Sequence, residues 1–279
     1  MDWNTRIERG KTMKLAILGK AFSDALKNMM IKGKQITSGG FSSGNLGTEV
    51  HITLTGNELM FYNGDGTFMA RLKLDDPIVR GNENGTCSID SETILPYLST
   101  FDGSEYVFIE VADGCMTMTQ AVTEDDTSVK KAVCPVLNAH SDLETINRMI
   151  TMVSHINYEA VPNTLFNFSN SKFEGCFTLE HEDFKKAITN CELVKTGIYK
   201  LDFNGRTVTF SSEVTRQNNF SERVIPTFAS GEEATVMFSS PLYAFFDKGQ
   251  TLNFYVKDEF PVLIVAEDRL LVKAPHIGD

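Results

Sequence analysis

The sequence contains no apolar run of 18 residues, so no stretch of it is expected to span a bilayer as a helix. Its opening, MDWNTRIERGKTMK, carries charge but no apolar centre and is not expected to act as a secretory signal. The five cysteines, Cys87, Cys115, Cys134, Cys176 and Cys191, are odd in number, scattered and never spaced as CxxC. That spacing argues for reduced, mostly buried thiols in an intracellular protein, not for a disulfide framework or a zinc site. The histidines, His51, His140, His155, His181 and His276, show neither HExxH nor paired metal-ligand spacing. His51 lies in a strand pattern and is expected to be structural; the other four are expected to be exposed. Basic residues are also short, 26 Lys and Arg against 37 Asp and Glu, for a net charge of −11. This balance excludes a protein that coats nucleic acid with its whole surface, but not one with a local basic face.

Catalytic signatures are missing too. Gly40-Phe-Ser-Ser-Gly44 spells GxSxG, but a nucleophile elbow needs a strand before it and a helix after it. Here the letters fall in residues 32–47, a Gly-, Ser- and Lys-rich stretch read as a mobile loop. Leu18-Gly-Lys20 lacks the upstream Gly and following Ser/Thr of a phosphate loop. The acidic pairs Asp125 with Asp126 and Glu232 with Glu233 sit at turns, where solvation explains them. No catalytic constellation emerges, no cofactor is implied, and the chain is not expected to be an enzyme.

What is present is periodicity. With 279 residues, 42% of them hydrophobic, the chain can bury the core of one large or two medium domains. Alternation and turn signals predict strands over 14–18, 50–54, 59–62, 68–74, 86–89, 106–111, 116–121 and 128–133. A second set is predicted over 176–179, 197–203, 207–211, 220–225, 235–238, 251–256, 262–266 and 270–272. Helical spacing predicts helices over 20–31, 90–100 and 181–193, and a fourth opened by Ser239-Ser240-Pro241 and stopped by Gly249. Phe22, Leu26, Met29 and Met30 form the inward stripe of the first, and Phe184, Ala187 and Ile188 of the third match Phe22, Ala25 and Leu26. Leu242, Phe245 and Phe246 share a face of the fourth.

The pattern repeats. Aligning TCSIDSETILPYLSTFDGSEYVFIEVADG with TVMFSSPLYAFFDKGQTLNFYVKDEF sets strand on strand and helix on helix at an offset of roughly 149 residues, one large duplication and not a solenoid period. The fold expected is α+β: two similar domains, each of two strand–helix–strands units. The boundaries expected are residues 1–134, a connector over 135–171 with an amphipathic helix at 142–155, and residues 172–279.

A helix that gives one stripe to its sheet turns the other to something wet. Lys20, Lys27, Lys32 and Lys34 lie on or just after the first helix, Lys185 and Lys186 on the third, and Lys248 at the end of the fourth. The second helix has none. Such a face suits sequence-independent contact with phosphates, and charged helix faces also occur simply because they meet solvent.

In element order, over most of residues 13–277, the chain resembles the DNA sliding clamps of the proliferating-cell-nuclear-antigen (PCNA) type. The resemblance is carried by LYAFFDKG, FPVLIV and LLVKAPHI in the tail, by FEGCFTLEHEDFKKAITNCELV at the start of the second half, and by SDALKNM in the first helix. It implies a homotrimeric ring in which twelve helices line a hole and sheets form the outer wall. It implies double-stranded DNA bound without regard to sequence, DNA polymerase and other proteins carrying clamp-binding peptides, and an ATP-driven clamp loader. Lys20 and Lys27 match DNA-facing lysines of the family, and Lys186 matches an arginine. Glu92 and Pro96 stand where the family has basic residues on the second helix, and Pro241 where an arginine is usual, so a less basic inner surface is expected. The family's outer peptide pocket maps onto Tyr62, Thr67, Phe166, Phe168, Pro261, Val262, Ala274, Pro275, His276 and Ile277. The connector is about twice the family's usual length. A processivity factor is the implied function, cytoplasmic in a prokaryote or infected host cell and nuclear in a eukaryote. The alternatives are a clamp-fold partner-binding protein of the checkpoint or decoy kind, and an enzyme using a Ser or carboxylate in the 32–47 stretch, for which loss of a hydrolytic activity on Ser42→Ala is the test. The 128–133 strand of one subunit is expected to pair with the 220–225 strand of the next.

Overall fold

Alternating apolar positions become strands whose buried residues recur every second place. The structure, a computed structural model, describes residues 12–30, 32–37, 40–45, 48–64, 67–75, 78–121, 129–137, 167–168, 171–214 and 218–276. The first half runs β1 (Met13–Leu18), α1 (Gly19–Met29), β2 (Lys32–Thr37), β3 (Gly40–Asn45), β4 (Glu49–Thr55), β5 (Glu58–Gly64), β6 (Phe68–Leu74), β7 (Val79–Glu83), β8 (Gly85–Asp90), α2 (Ser91–Leu98), β9 (Tyr106–Ala112), β10 (Cys115–Ala121) and β11 (Val129–Pro135). Two short strands, β12 (Asn167–Phe168) and β13 (Ser171–Lys172), pair with each other. The second half runs β14 (Gly175–Glu180), α3 (His181–Cys191), β15 (Ile198–Phe203), β16 (Val208–Val214), β17 (Asn218–Val224), β18 (Phe228–Gly231), β19 (Ala234–Ser239), β20 (Thr251–Val256), β21 (Val262–Val265) and β22 (Arg269–Lys273). The helix expected at 142–155 lies outside the described residues.

Two compact units result. The first takes the described residues up to Lys27, then Thr48–Tyr62 and those from Leu72 to 137; the second takes Asn28 through β3, Asn63–Arg71, and the described residues from 167 onward. In the first unit one sheet has the order β11-β10-β9-β1-β7, and β5-β4-β8 are neighbours in another. The second unit repeats both, as β22-β21-β20-β14-β18 and β17-β16-β15-β19. Within these sheets neighbouring strands run antiparallel; β1 and β9, for instance, pair from Met13↔Val111 to Leu18↔Tyr106. Counterpart helices bury the same positions: Phe22, Ala25, Leu26 and Met29 in α1, Phe184, Ala187, Ile188 and Cys191 in α3. In the second unit Phe177 stacks on Phe254 at 4.8 Å and Phe184 meets that ring edge-on at 5.0 Å, an arrangement worth more than area alone.

Three expectations are corrected. Residues 32–47 are not a loop throughout: β2 and β3 form a hairpin with Lys32 opposite Asn45 and Thr37 opposite Gly40. The fourth helix reduces to one 3-10 turn, Leu242–Phe245. The chain enters it with Ser240 at φ 82° and Pro241 at ψ 80°, and Pro241 makes no side-chain cap, so no α-helical first turn forms. Leu242, Phe245 and Phe246 are still buried, because packing fixes their burial whatever the turn type. His181 is buried, not exposed: as the first residue of α3 it turns inward and its Nε2 lies 3.2 Å from the Tyr243 carbonyl. Two strands, β7 and β18, carry no alternation in sequence; each borders a single neighbour, β1 and β14 respectively.

Candidate functional site

The lysines proposed for nucleic acid emerge on the wet sides of their helices, but in the company of carboxylates. Lys20 and Lys27 of α1 are both exposed, and both pair with Asp24, Lys27 at 3.7 Å. Lys186 of α3 pairs with Glu222 at 3.4 Å, and the Lys185 ammonium lies 5.9 Å from the Tyr243 ring centre. Glu182 and Asp183 share the exposed side of α3, and Glu92 is exposed on α2. Lys248 is exposed just after the 3-10 turn, near Asp247, which holds Arg269. Lys32 and Lys34 stand two positions apart on β2. Lys20, Lys27 and Lys186 are thus matched by acids, and exposed pairs of this kind contribute little to stability.

One cation near the second helix was not read from sequence. Lys130, on β11, donates from Nζ to the Thr100 carbonyl at 2.6 Å, just beyond the C-terminus of α2. A lysine there complements the negative helix end. The only sequence signal was the Lys130-Lys131 pair in a strand, which names no helix. The loop it reaches is ordered by Asp102: hydrogen bonds from the Ser104 hydroxyl and N–H, with nearby Lys130, hold that carboxyl below its usual range.

The residues assigned to a peptide pocket differ in accessibility. Val262 is fully buried and Tyr62 nearly so, so neither side chain offers contact surface. Pro261, Ala274, Pro275 and His276 are half-buried. The tail is pinned in the second unit: the Ala274 N–H donates to the Thr67 carbonyl at 2.8 Å, Lys273 Nζ to Thr67 Oγ1 at 3.1 Å, and the His276 N–H to the Met237 carbonyl at 2.7 Å. Phe168 is in β12, whereas Phe166 and Ile277 lie outside the described residues. A cavity of about 310 Å³ lies elsewhere in this unit, with Asp202, Asn204, Glu233 and Asp258 in its lining. Two of its carboxylates are engaged: Asp258 accepts from the Thr235 N–H at 2.5 Å, and Asp202 from Thr235 Oγ1 at 2.7 Å and from Lys200 at 2.9 Å.

Edges complete the picture. β22 has β21 on one side and β6 on the other, and it is buried along its length. Its counterpart β11 has β10 alone, with Val129 and Val133 51% and 53% exposed. β17, the counterpart of β6, has β16 alone, and Ile225 just beyond it is 79% exposed. An unpaired edge with apolar side chains is a surface for another strand.

The remaining candidate groups are structural. His51 is buried with Nδ1 2.7 Å from Ser88 Oγ. Cys87, Cys134, Cys176 and Cys191 are buried and Cys115 exposed. Burial pushes the Cys87 thiol up to about 12 and, aided by Glu222, the Cys191 thiol to about 11, so neither is a nucleophile. Gly40-Phe-Ser-Ser-Gly44 lies wholly in β3, with no helix behind it. Among the described residues no cluster of His, Cys, Asp and Glu could hold a metal, and no helix is long and apolar enough to cross a membrane.

No protein-family model and no curated protein matches the chain. Its likeness is to solved structures. The PCNA of A. fulgidus, in a structure with the C-terminal region of FEN-1 bound, superposes with a TM-score of 0.66 at 12% identity, covering 96% of this chain and 99% of that one. The PCNA of Thermococcus kodakaraensis gives 0.64 at 9% identity over 95% and 100%. The DNA polymerase sliding clamp of Pseudomonas aeruginosa gives 0.69 at 11% identity, covering all of this chain and 70% of that one. The chain is a divergent protein of the DNA-clamp fold.

Proposed function

We propose, with the clamp fold as premise, that this protein is a sliding clamp: a ring that encircles duplex DNA and tethers polymerase and other replication or repair proteins. One observation carries the reading. The chain builds the same two-sheet topology twice, makes one edge-to-edge pair, β22 with β6, and leaves the two counterpart edges, β11 and β17, without partners among the described residues. A copy placed head to tail satisfies β11 with the next copy's β17, and repetition of that heterologous contact closes a ring. Three copies, the PCNA arrangement, give six topological repeats around the hole.

No bond is made or broken in such a protein. A polymerase held on the ring rebinds the primer end faster than it diffuses away, because the tether raises its local concentration. Partner peptides would anchor beside Pro261 and the Ala274, Pro275 and His276 tail, with few side chains carrying most of the energy. Tyr62, Thr67, Phe166, Phe168 and Ile277 complete that proposed pocket, and an ATP-driven loader opens the ring. The halves 1–134 and 172–279 act as its repeating arcs around the 135–171 connector. Native mass measurement and retention on closed circular DNA test the reading together. A trimer retained on circles and released by linearisation is expected; a monomer at micromolar concentration that no circle retains refutes it.

A second reading is favoured by the carboxylates beside the helix lysines: a clamp-fold protein that binds partners but does not support synthesis. It predicts ring formation with no DNA-dependent stimulation of polymerase.

A further inference from the structure

The strand pairings of the first unit line up five residues across its five-stranded sheet. Arg80 of β7 lies opposite Ala16 of β1, Ala16 opposite Phe108 of β9, Phe108 opposite Thr119 of β10, and Thr119 opposite Lys131 of β11. Directly opposed residues share a face of the sheet, so all five stand on one side. That side is the wet one. Arg80, Phe108 and Lys131 are exposed, whereas Val107 and Ile109, which flank Phe108 in β9, are buried.

Phe108 differs from the exposed valines of this sheet. Val129 and Val133 lie on an edge strand, where another strand can cover them. Phe108 is 56% exposed on β9, which already has a strand on each side, so edge pairing leaves its ring uncovered. Its neighbours in the row, Ala16 and Thr119, are small, and the ring stands above them. The acids of the adjoining row are engaged: Lys14 lies 3.2 Å from Glu83 and 3.4 Å from Glu110. The Arg80 guanidinium sits 4.7 Å from the Tyr106 ring centre, and neither Arg80 nor Lys131 is in an ion pair among the described residues. The counterpart row of the second unit is Phe228, Thr178, Asn253, Val265 and Leu270. It has no charge, and Thr178, Val265 and Leu270 are buried. The duplicated plan therefore folds without two cations flanking an exposed aromatic ring.

The spacing of the row defines what fits it. Strands lie about 4.8 Å apart, so Arg80 and Lys131 each stand about 10 Å from Phe108, on opposite sides of it. An extended chain advances about 3.3 Å per residue, so three residues cover about the same 10 Å. We propose that this face docks an extended acidic peptide of a partner protein, with an apolar side chain on Phe108 and a carboxylate three residues away on each side for Arg80 and Lys131. The charged ends set the register, and the apolar contact in the middle supplies most of the affinity. The site shares no residue with the pocket proposed around Pro261 and does not depend on a ring.

The test follows the fluorescence anisotropy of a labelled synthetic peptide, Glu-Ser-Thr-Leu-Ser-Thr-Glu, titrated with the full-length protein. Phe108→Ala is expected to weaken binding about tenfold. Arg80→Glu with Lys131→Glu is expected to weaken it about tenfold or more at low salt, and to bind the same peptide with Lys at both ends instead. That exchange of preference requires a folded protein, so it separates lost contact from lost structure. Moving both Glu residues next to the Leu, at unchanged composition, is expected to weaken binding about fivefold. Equal affinity for the rearranged peptide, unchanged affinity in both variants, or no binding at millimolar peptide overturns the proposal. So does a labelled oligothymidylate that binds in a Phe108-dependent way, which assigns the face to single-stranded nucleic acid. Loss of self-association in Phe108→Ala also overturns it, by assigning the face to a second copy of the chain.

Discussion

Removing two methyl-bearing side chains from β11 should take the ring apart. Val129 and Val133 are about half exposed in the single chain, 51% and 53%. Val→Ala removes about two carbon groups at roughly 0.8 kcal/mol each when fully buried, so the half that assembly covers is worth about 0.8 kcal/mol per valine. Two valines give about 1.6 kcal/mol per seam and about 5 kcal/mol for a three-seam ring. The trimer dissociation constant then rises by about 3.5 powers of ten, and the concentration at half-dissociation, which goes as its square root, rises roughly 60-fold. Sedimentation velocity of Val129→Ala with Val133→Ala across a dilution series measures this directly. Phe108→Ala is the control: Phe108 is 56% exposed in the same sheet, but on β9, which has β10 and β1 on its two sides. A midpoint that moves less than threefold in the valine pair, or that moves as far in the Phe108 variant, would sink the edge-pairing argument.

Three other outcomes rest on named residues. Asp24→Ala, by freeing Lys20 and Lys27, is expected to tighten duplex binding several-fold at 50 mM salt and little at 200 mM; unchanged affinity at low salt means those lysines do not meet DNA. Asp90 caps α2 through the Glu92 N–H and Thr93 hydroxyl, and although burial alone raises its pKa, hydrogen bonds from Thr93, Thr48 and the Glu92 N–H leave it lowered from 3.8. A lowered folded-state pKa stabilises above the unfolded value and is lost as pH falls through the folded one. Asp90→Ala should therefore cost about 1 kcal/mol in urea unfolding at pH 7 and almost nothing once both forms are protonated, well below pH 3.8. Iodoacetamide at pH 8 should add to Cys115 alone in the native protein; early modification of Cys87 or Cys191 in the intact-mass time course would contradict their burial.

The core was legible because its period was clean. Phe22, Ala25, Leu26 and their partners Phe184, Ala187 and Ile188 declare one helix twice, and the duplication predicted the matching strand orders. Where sequence failed, a local rule had hidden the element. Glycine opposite glycine made β2–β3 read as a loop, since Gly33, Gly40 and Gly44 erase strand propensity while leaving backbone pairing intact. β7 and β18, as VRGNE and FASG, border a single neighbour each and need no alternation. Ser239-Ser240-Pro241 has helix-opening chemistry, yet a positive φ at Ser240 overrides it. Of the candidate site, the helix lysines were legible as exposed and Asp24 lay between Lys20 and Lys27 in sequence, but the partner of Lys186 was visible only once Glu222 came up beside it across the fold. The depth of the residues assigned to the peptide pocket was not legible, because burial of Val262 depends on strands distant in sequence.

Asp24 between Lys20 and Lys27 has a consequence for motion as well as for binding. On a ring threaded by DNA, a lysine that leaves one phosphate returns to a carboxylate of its own helix, not to bare solvent. In the proposed ring, such a helix face would act as a low-friction bearing, keeping the DNA centred while leaving one-dimensional diffusion fast.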